Sequence, residues 1–569
     1  MKQFLLFAMV LIICTASSAQ YEESYIRFIL RGTPQEKDLP DVISIAAVSG
    51  DTVFAFAGKE ALSAIRTMGY LPETLPMPGA LSVHHMADSP EHMAVWDRYP
   101  TYQTYLELMR GYASKYPALC RLDTIGFSAQ GRLLLALKIS KNVSLREDEP
   151  QILYTSSMHG NELTGYILML RLAEYLLSNY GKVTPEAVRI TSILNNIELY
   201  INPLFNPDGA YRLGKDTTII NATRANVNGR DLNRDFPDRI SSPANGTRGR
   251  QPETAAMMRW TFDHNFSLSA NFHGGALVAL YPWSAGVKSG DYAACPDDKI
   301  FIKLATVYAA PNPDFAKGGF KGGISNSNNW YEVLGGRQDW MYARQGGHEL
   351  TLEVSSEYIA PDSLLPGFWN SNKESMLAFL EQGMKGLRGR VTAAGLPMKA
   401  SIDIIEIGNS PVFSDPAVGT FLRPLVPGTY TVVASAYGYR NDTIRNVVIT
   451  DSGATRLDVE LQKITSAASV MTVPPERYSL EQNYPNPFNP STSITYHVPE
   501  QSIVRLTVYN TLGQNVFELA NEEKRAGTFE YRFNASSLSS GMYFYRFDAS
   551  SIQHPGRRFT ETKKMMLLR

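Results

Sequence analysis

In Gln151-Ile-Leu-Tyr-Thr-Ser-Ser-Met-His159-Gly-Asn-Glu162-Leu163-Thr-Gly-Tyr-Ile-Leu-Met-Leu-Arg-Leu-Ala-Glu-Tyr-Leu-Leu-Ser-Asn-Tyr180, a short apolar run gives way, across a few polar residues, to a long segment that is apolar along one face. The first part reads as a strand from Gln151 to Tyr154, the second as a helix from Leu163 to Tyr180. Working outward, Tyr102 to Tyr116 has helical spacing, and Leu133 to Ile139 and Leu268 to His273 read as strands. Strand, helix and strand in succession predict an α/β domain, and the pattern persists to about Gly383.

Residues 20–92 carry short alternating runs, including Tyr25 to Leu30 and Val53 to Ala57, with a helical pattern from Lys59 to Met68. They predict a small α+β unit, either a propeptide or a permanent accessory domain. Beyond the α/β domain, assigned to 98–383, short alternating strands broken by Gly and Pro predict a β-sandwich over 384–463. Residues 464–477 are rich in Ser, Thr, Ala and Pro and read as a linker, and 478–569 form a last β-rich unit.

The amino terminus adds a compartment. Lys2 precedes an apolar run from Phe4 to Cys14 and small residues to Ala19, the pattern of a secretory signal over 1–19. The run is too short to span a bilayer, which takes about 20 apolar residues, and no later stretch qualifies. Loss of Cys14 with the signal leaves Cys120 and Cys295, hence one bridge or two separately buried thiols. A composition of 44% hydrophobic and 19% charged residues suits a globular protein, and Lys+Arg 54 against Asp+Glu 55 argues against nucleic acid as a ligand.

His159 and Glu162 stand three apart at the strand-to-helix turn, where imidazole and carboxylate can converge on one zinc ion. His273 ends a strand before Gly274-Gly275, and strand ends of α/β sheets are where ligands collect. Two histidines and a glutamate with an open fourth position make a catalytic zinc set. Such a site needs a base, and Glu353 is the candidate, in a strand whose alternation puts Glu349, Thr351 and Glu353 on one face. A solvated face would suit Glu349 as well as Glu353. A free carboxylate is best held by guanidinium. The segment Arg224-Ala-Asn-Val-Asn-Gly-Arg-Asp-Leu-Asn233-Arg234-Asp-Phe-Pro237 supplies suitable donors, with Arg224 an alternative partner for the scissile carbonyl.

Together these residues resemble the zinc metallocarboxypeptidases, in the regulatory branch that includes carboxypeptidases N, E, D and M. Five blocks occur in the family's order: HGNE at 159–162, NPDG at 206–209, the Arg224 to Pro237 stretch, SANFHGG at 269–275, and Trp330 through Glu353. The resemblance implies a mixed-sheet catalytic domain hydrolysing the C-terminal residue of peptides or proteins. It implies one Zn2+ per chain on His159, Glu162 and His273, with Glu353 as base. It also implies Arg224 on the carbonyl, Asn233 and Arg234 on the carboxylate, and Tyr331, rather than Tyr342, closing over the substrate. Residues 384–463 resemble the branch's transthyretin-like domain.

Three departures bear on specificity. Asp235 replaces an asparagine beside the clamp. Ser284 stands where Lys- and Arg-removing members carry aspartate. Arg337 is placed in the loop that floors the side-chain pocket, beside the specificity position Gln338. The expectation is that basic C-terminal residues are not preferred and that neutral or acidic ones are accepted.

The last unit resembles C-terminal sorting domains of the type IX secretion pathway, through Gln482 to Ser491, Val508 to Gly513 and Ser540 to Tyr543. It implies a bacterial protein exported by that machinery and released or held at the cell surface. Two other functions fit the same features: a peptidase of cell-wall muropeptides, and a secreted binding or adhesion protein with a dead site.

Overall fold

Strand register follows burial. The computed structural model describes residues 21–568 apart from 33–38, 40–42, 81, 83, 213–214, 241–244, 409–411, 437, 465–476, 525, 536–537, 553 and 555. The signal at 1–19 and nearly all of the linker therefore lie outside the described residues. The chain divides into two units, Met1–Lys463 and Ile464–Arg569.

An eight-stranded mixed sheet organises the first unit. Its order is Ile324–Asn326, Ala276–Tyr281, His348–Ser355, Phe266–His273, Gln151–Ser156, Glu198–Asn202, Leu133–Ile139 and Cys120–Phe127. The four central strands run parallel and antiparallel strands flank them. Phe266–His273, Gln151–Ser156 and His348–Ser355 are buried at every position, because helices and loops cover both faces. One covering helix is Thr164–Asn179, buried along most of its length as its apolar face predicts. Others are Tyr102–Lys115, capped by Thr101 Oγ1 accepting from Thr104 N, and Leu365–Leu380. Cys120 and Cys295 are both buried and free.

Before this body, Ser44–Ser49, Thr52–Gly58, Glu23–Ile29 and Glu73–Leu75 form a four-stranded sheet in that order, with the helix Lys59–Thr67. Its small core includes Ile26, Phe28, Val53 and Ile65. The sheet ends at Leu75. Residues from His85 onward join the main body: the His85 backbone N–H donates to Asp362 at 2.5 Å, Met86–Ala87 pairs with Tyr99–Pro100, and Ala87, Met93 and Trp96 enter the large core. The four-stranded sheet thus covers less of the chain than the 20–92 segment read from its alternating runs.

After the main body, Gly386–Ala393, Leu396–Pro397, Thr420–Arg423, Ala454–Arg456 and Val459–Glu460 form one sheet. Ser401–Ile404, Val412–Phe413, Gly428–Ser435 and Asp442–Ile449 form another, and both share one core. Arg423 fastens this sandwich to the main body through two bonds to the Asp297 carboxylate, at 2.9 and 2.8 Å. In the second unit, a three-stranded and a four-stranded sheet enclose a core of Ile494, Leu506, Tyr545 and Phe547 among others. The Asn-Pro-rich block is built into it: Phe488 is buried, and Asn483 N–H donates to the Tyr545 hydroxyl at 2.7 Å. Among the described residues no helix is long and apolar enough to cross a membrane.

Candidate active site

Three blocks of the sequence meet at backbone distance. A Cβ on Gly160 would lie 2.4 Å from the Gly209 carbonyl carbon, and one on Gly209 would lie 2.9 Å from the oxygens of Thr223 and Ala225. The turn carrying His159 and Glu162, the Asn206-Pro-Asp-Gly209 turn and the start of the Arg224 loop can nest this closely only without those side chains. Ser157 leaves the strand in the left-handed region, φ 55°, and its hydroxyl donates to Glu162 O at 2.8 Å, closing the turn.

The parallel register does the rest. Phe272 pairs with Ser156, and His273 pairs with Glu353, so the carboxyl ends of three adjacent strands deliver the site. The ligand atoms of His159, Glu162 and His273 lie within 4.8 Å of one another. His159 Nδ1 is 2.8 Å from Glu162 Oε1, and His273 Nδ1 is 2.7 Å from Glu162 Oε2. The far nitrogen of each ring has a partner, Asp231 Oδ1 at 3.0 Å for His159 and the Asn271 amide at 2.8 Å for His273. Two nitrogens and a carboxylate, each ring oriented from behind, fit zinc.

Burial alone would raise the Glu162 carboxyl; the His159 and His273 imidazoles more than reverse it and hold it below the usual carboxylate range. Glu353 is pushed well above that range, by burial and then by Glu162. A divalent cation held by Glu162 and the two histidines would oppose the second effect. Glu353 Oε2 is buried without a hydrogen-bond partner among the described residues, facing the cleft that His159, Glu162 and His273 line. Glu349 is different: it is buried against Arg337 Nη2 at 2.9 Å and accepts from Ser269 Oγ at 2.7 Å. The face they share is not solvated.

Arg224 and Asn233 line the cleft, and Arg224 Nη1 donates to Glu162 Oε1 at 2.8 Å. Arg234 is beside it rather than in its lining, with Nη1 donating to Asn233 O at 3.0 Å. Tyr331 lines the cleft as well. Tyr342 is buried core, its hydroxyl on Asp297 at 2.9 Å.

Two expectations are corrected. Arg337 does not floor the side-chain pocket. It is fully buried, paired with Glu349 and bonded to Thr155, because one turn of helix, Arg337–Trp340, sends it to the opposite side from Gln338. The Asp235 carboxylate is committed elsewhere. It accepts the Gln251 N–H at 2.7 Å, at the start of the helix Pro252–Phe262, and burial raises its carboxyl.

Gln338 is surrounded instead by uncharged side chains. Gln338 Nε2 donates to Ser327 Oγ at 2.8 Å and Ser284 Oγ at 3.3 Å, while its Oε1 accepts from Thr351 N at 2.9 Å. Ser327 went unread in the sequence, where nothing marks it, and Thr351 was read only as sharing a face with Glu349 and Glu353. Asp231 lies inside the Arg224 to Pro237 block and was passed over for its neighbours.

A zinc carboxypeptidase family model matches residues 105–375, and a secretion system C-terminal sorting domain matches 482–557. Carboxypeptidase N catalytic chain of Homo sapiens is 32% identical over 416 residues, 67% of this chain and 90% of that protein. The chain belongs to the zinc carboxypeptidase family. Carboxypeptidase M of Mus musculus is 35% identical over 345 residues, 58% of this chain and 76% of that protein. Carboxypeptidase D of Homo sapiens is 37% identical over 369 residues, 62% of this chain and 26% of that protein. The chain therefore spans about a quarter of the carboxypeptidase D relatives it matches. Zinc is the family's metal, and the His159, Glu162 and His273 cluster suits it.

Proposed function

We propose that this chain is a secreted zinc carboxypeptidase that hydrolyses the last peptide bond of peptides or proteins outside the cell. The convergence of His159, Glu162 and His273 beside Glu353, whose buried Oε2 has no hydrogen-bond partner among the described residues, carries the reading. Zinc held by the three ligands supplies a Lewis acid that acidifies water and polarises a carbonyl. Glu353 takes a proton from the attacking water and returns it to the departing amine as the C–N bond breaks. Arg224 faces negative charge developing on the carbonyl oxygen. Asn233 and Arg234 hold the terminal carboxylate, and Tyr331 closes over it.

Ser284, Ser327, Gln338 and Thr351 give the side-chain pocket donors and acceptors without a charge. A Lys or Arg side chain finds no counter-ion among these four, so neutral C-terminal residues are favoured. Export by the type IX machinery rests on the sorting domain, and the 386–463 sandwich serves as a transthyretin-like structural support.

The test is zinc content and peptide hydrolysis in the parent and in Glu353→Gln. The substitution should keep the metal and lower kcat by about 100- to 10,000-fold. Retained zinc with full activity would overturn the mechanism.

A further inference from the structure

Arg337 is fully buried and lies outside the lining of the cleft. Taking a guanidinium out of water is costly, and a buried ion pair commonly contributes no more than an apolar pair of similar volume. The pairing with Glu349 therefore does not by itself account for this arginine. Its other side-chain bond is directional: Nη1 donates to Thr155 Oγ1.

Strand register carries that bond to a metal ligand. Thr155 and Asn271 stand opposite one another in the parallel strands Gln151–Ser156 and Phe266–His273. Asn271 is two residues before His273, so both side chains leave the strand on one face. The Thr155 hydroxyl donates to Asn271 Oδ1 at 2.9 Å, and Asn271 Nδ2 stands 2.8 Å from His273 Nε2. The other ring nitrogen, Nδ1, is the one that faces Glu162 Oε2 at 2.7 Å. All of these side chains are buried.

A guanidinium can only donate, so Arg337 always occupies a lone pair of Thr155 Oγ1. That leaves the hydroxyl hydrogen and the second lone pair for Asn271. With Nδ1 given to a metal, His273 Nε2 carries the ring proton and needs an acceptor. The same amide, turned over, offers Oδ1 to the ring and Nδ2 to Thr155. A hydroxyl at 155 serves both settings; a methyl group serves neither. The turn that carries Arg337 is itself fastened at the clamp, its backbone N–H donating to Asn233 Oδ1 at 3.0 Å.

We propose that Arg337, acting through Thr155 and Asn271, is a positioning residue for His273, fixing the plane of the ring and the nitrogen it turns toward zinc. This rests on the zinc-peptidase reading of the site, and metal affinity tests it apart from hydrolysis.

Zinc affinity of the full chain is measured by competition with a chelator, beside thermal unfolding of the metal-free form and hydrolysis of a linear peptide. Thr155→Val keeps the shape of the side chain and removes the hydroxyl. It should weaken zinc about tenfold, and Thr155→Ser should return affinity to within about threefold of the parent. The double variant Arg337→Leu, Glu349→Leu removes the guanidinium without leaving a charge alone. It should weaken zinc in the same direction while the metal-free melting temperature holds, and it decides the matter if Thr155→Val does not fold. Parental zinc affinity in the double variant, or no rescue by Thr155→Ser, would overturn the proposal. Affinity lost only together with metal-free stability would do the same and make Arg337 a packing residue. Weakened zinc in both variants, with no hydrolysis by the zinc-loaded parent, would uphold the relay and sink the peptidase reading instead.

Discussion

Asp231 sets Oδ1 3.0 Å from His159 Nε2, which leaves Nδ1 as the ring nitrogen turned toward Glu162. Burial would raise the Asp231 carboxyl, but His159 and Arg224 hold it well below its usual range, so it acts as an acceptor that fixes the tautomer and the ring plane.

Asp231→Asn should therefore weaken zinc binding by about 10- to 100-fold. Competition with a chelator measures it, with circular dichroism to establish that the fold is kept. Zinc affinity within twofold of the parent would mean that the ring is oriented by its packing alone.

The neutral pocket makes a separate prediction. Among otherwise identical peptides ending in Lys, Leu or Glu, cleavage of the Lys peptide should not lead. Ser284→Asp places a carboxylate beside Gln338 and should raise the Lys-to-Leu ratio of kcat/KM at least about tenfold, equivalent to about 1.4 kcal/mol. A marked Lys preference in the parent would refute the pocket assignment.

Arg337 is a stability element rather than a specificity element. Arg337→Leu strands the Glu349 carboxylate in the sheet and should cost about 3–5 kcal/mol. The double variant Arg337→Leu, Glu349→Leu should recover most of it, because no buried charge is left alone. Thermal unfolding reads both. The order of preference among C-terminal residues should be unchanged in the double variant; a switch toward basic peptides would return Arg337 to the pocket.

What the sequence made legible was local. His159 and Glu162 share one turn, His273 ends its strand, Glu353 lies near the end of its own, and each strand or helix that carries them announces itself by its apolar pattern. Arg337 misled because it neighbours Gln338 in sequence, while consecutive residues of a helical turn point about 100° apart and so to different sides. The bond from the Arg224 backbone N–H to Glu23 was out of reach, since the two are 201 positions apart and neither stretch marks the other. The same distance effect hid the end of the N-terminal sheet: what ties residues near 85 to the main body is Asp362, 277 positions on.

Asp339 offers a pH test of the pocket's floor. Its carboxylate oxygens accept the Ser284 backbone N–H at 2.9 and 3.0 Å. Burial nevertheless pushes its carboxyl up to about 7, against the lowering by Ser284. In the unfolded chain an aspartate titrates near ~3.9. Folding thus takes up a proton between those values. The stabilisation is complete below about pH 4 and is lost as the pH rises through the folded value near 7. Asp339→Asn keeps an acceptor for Ser284 and has no proton to lose. Its stability relative to the parent should rise by roughly 2–3 kcal/mol between pH 5 and pH 8, seen as a melting temperature that falls in the parent and holds in the variant. A constant difference across that range would mean that Asp339 is ionised throughout, with a carboxylate beneath Ser284 available to attract basic side chains after all.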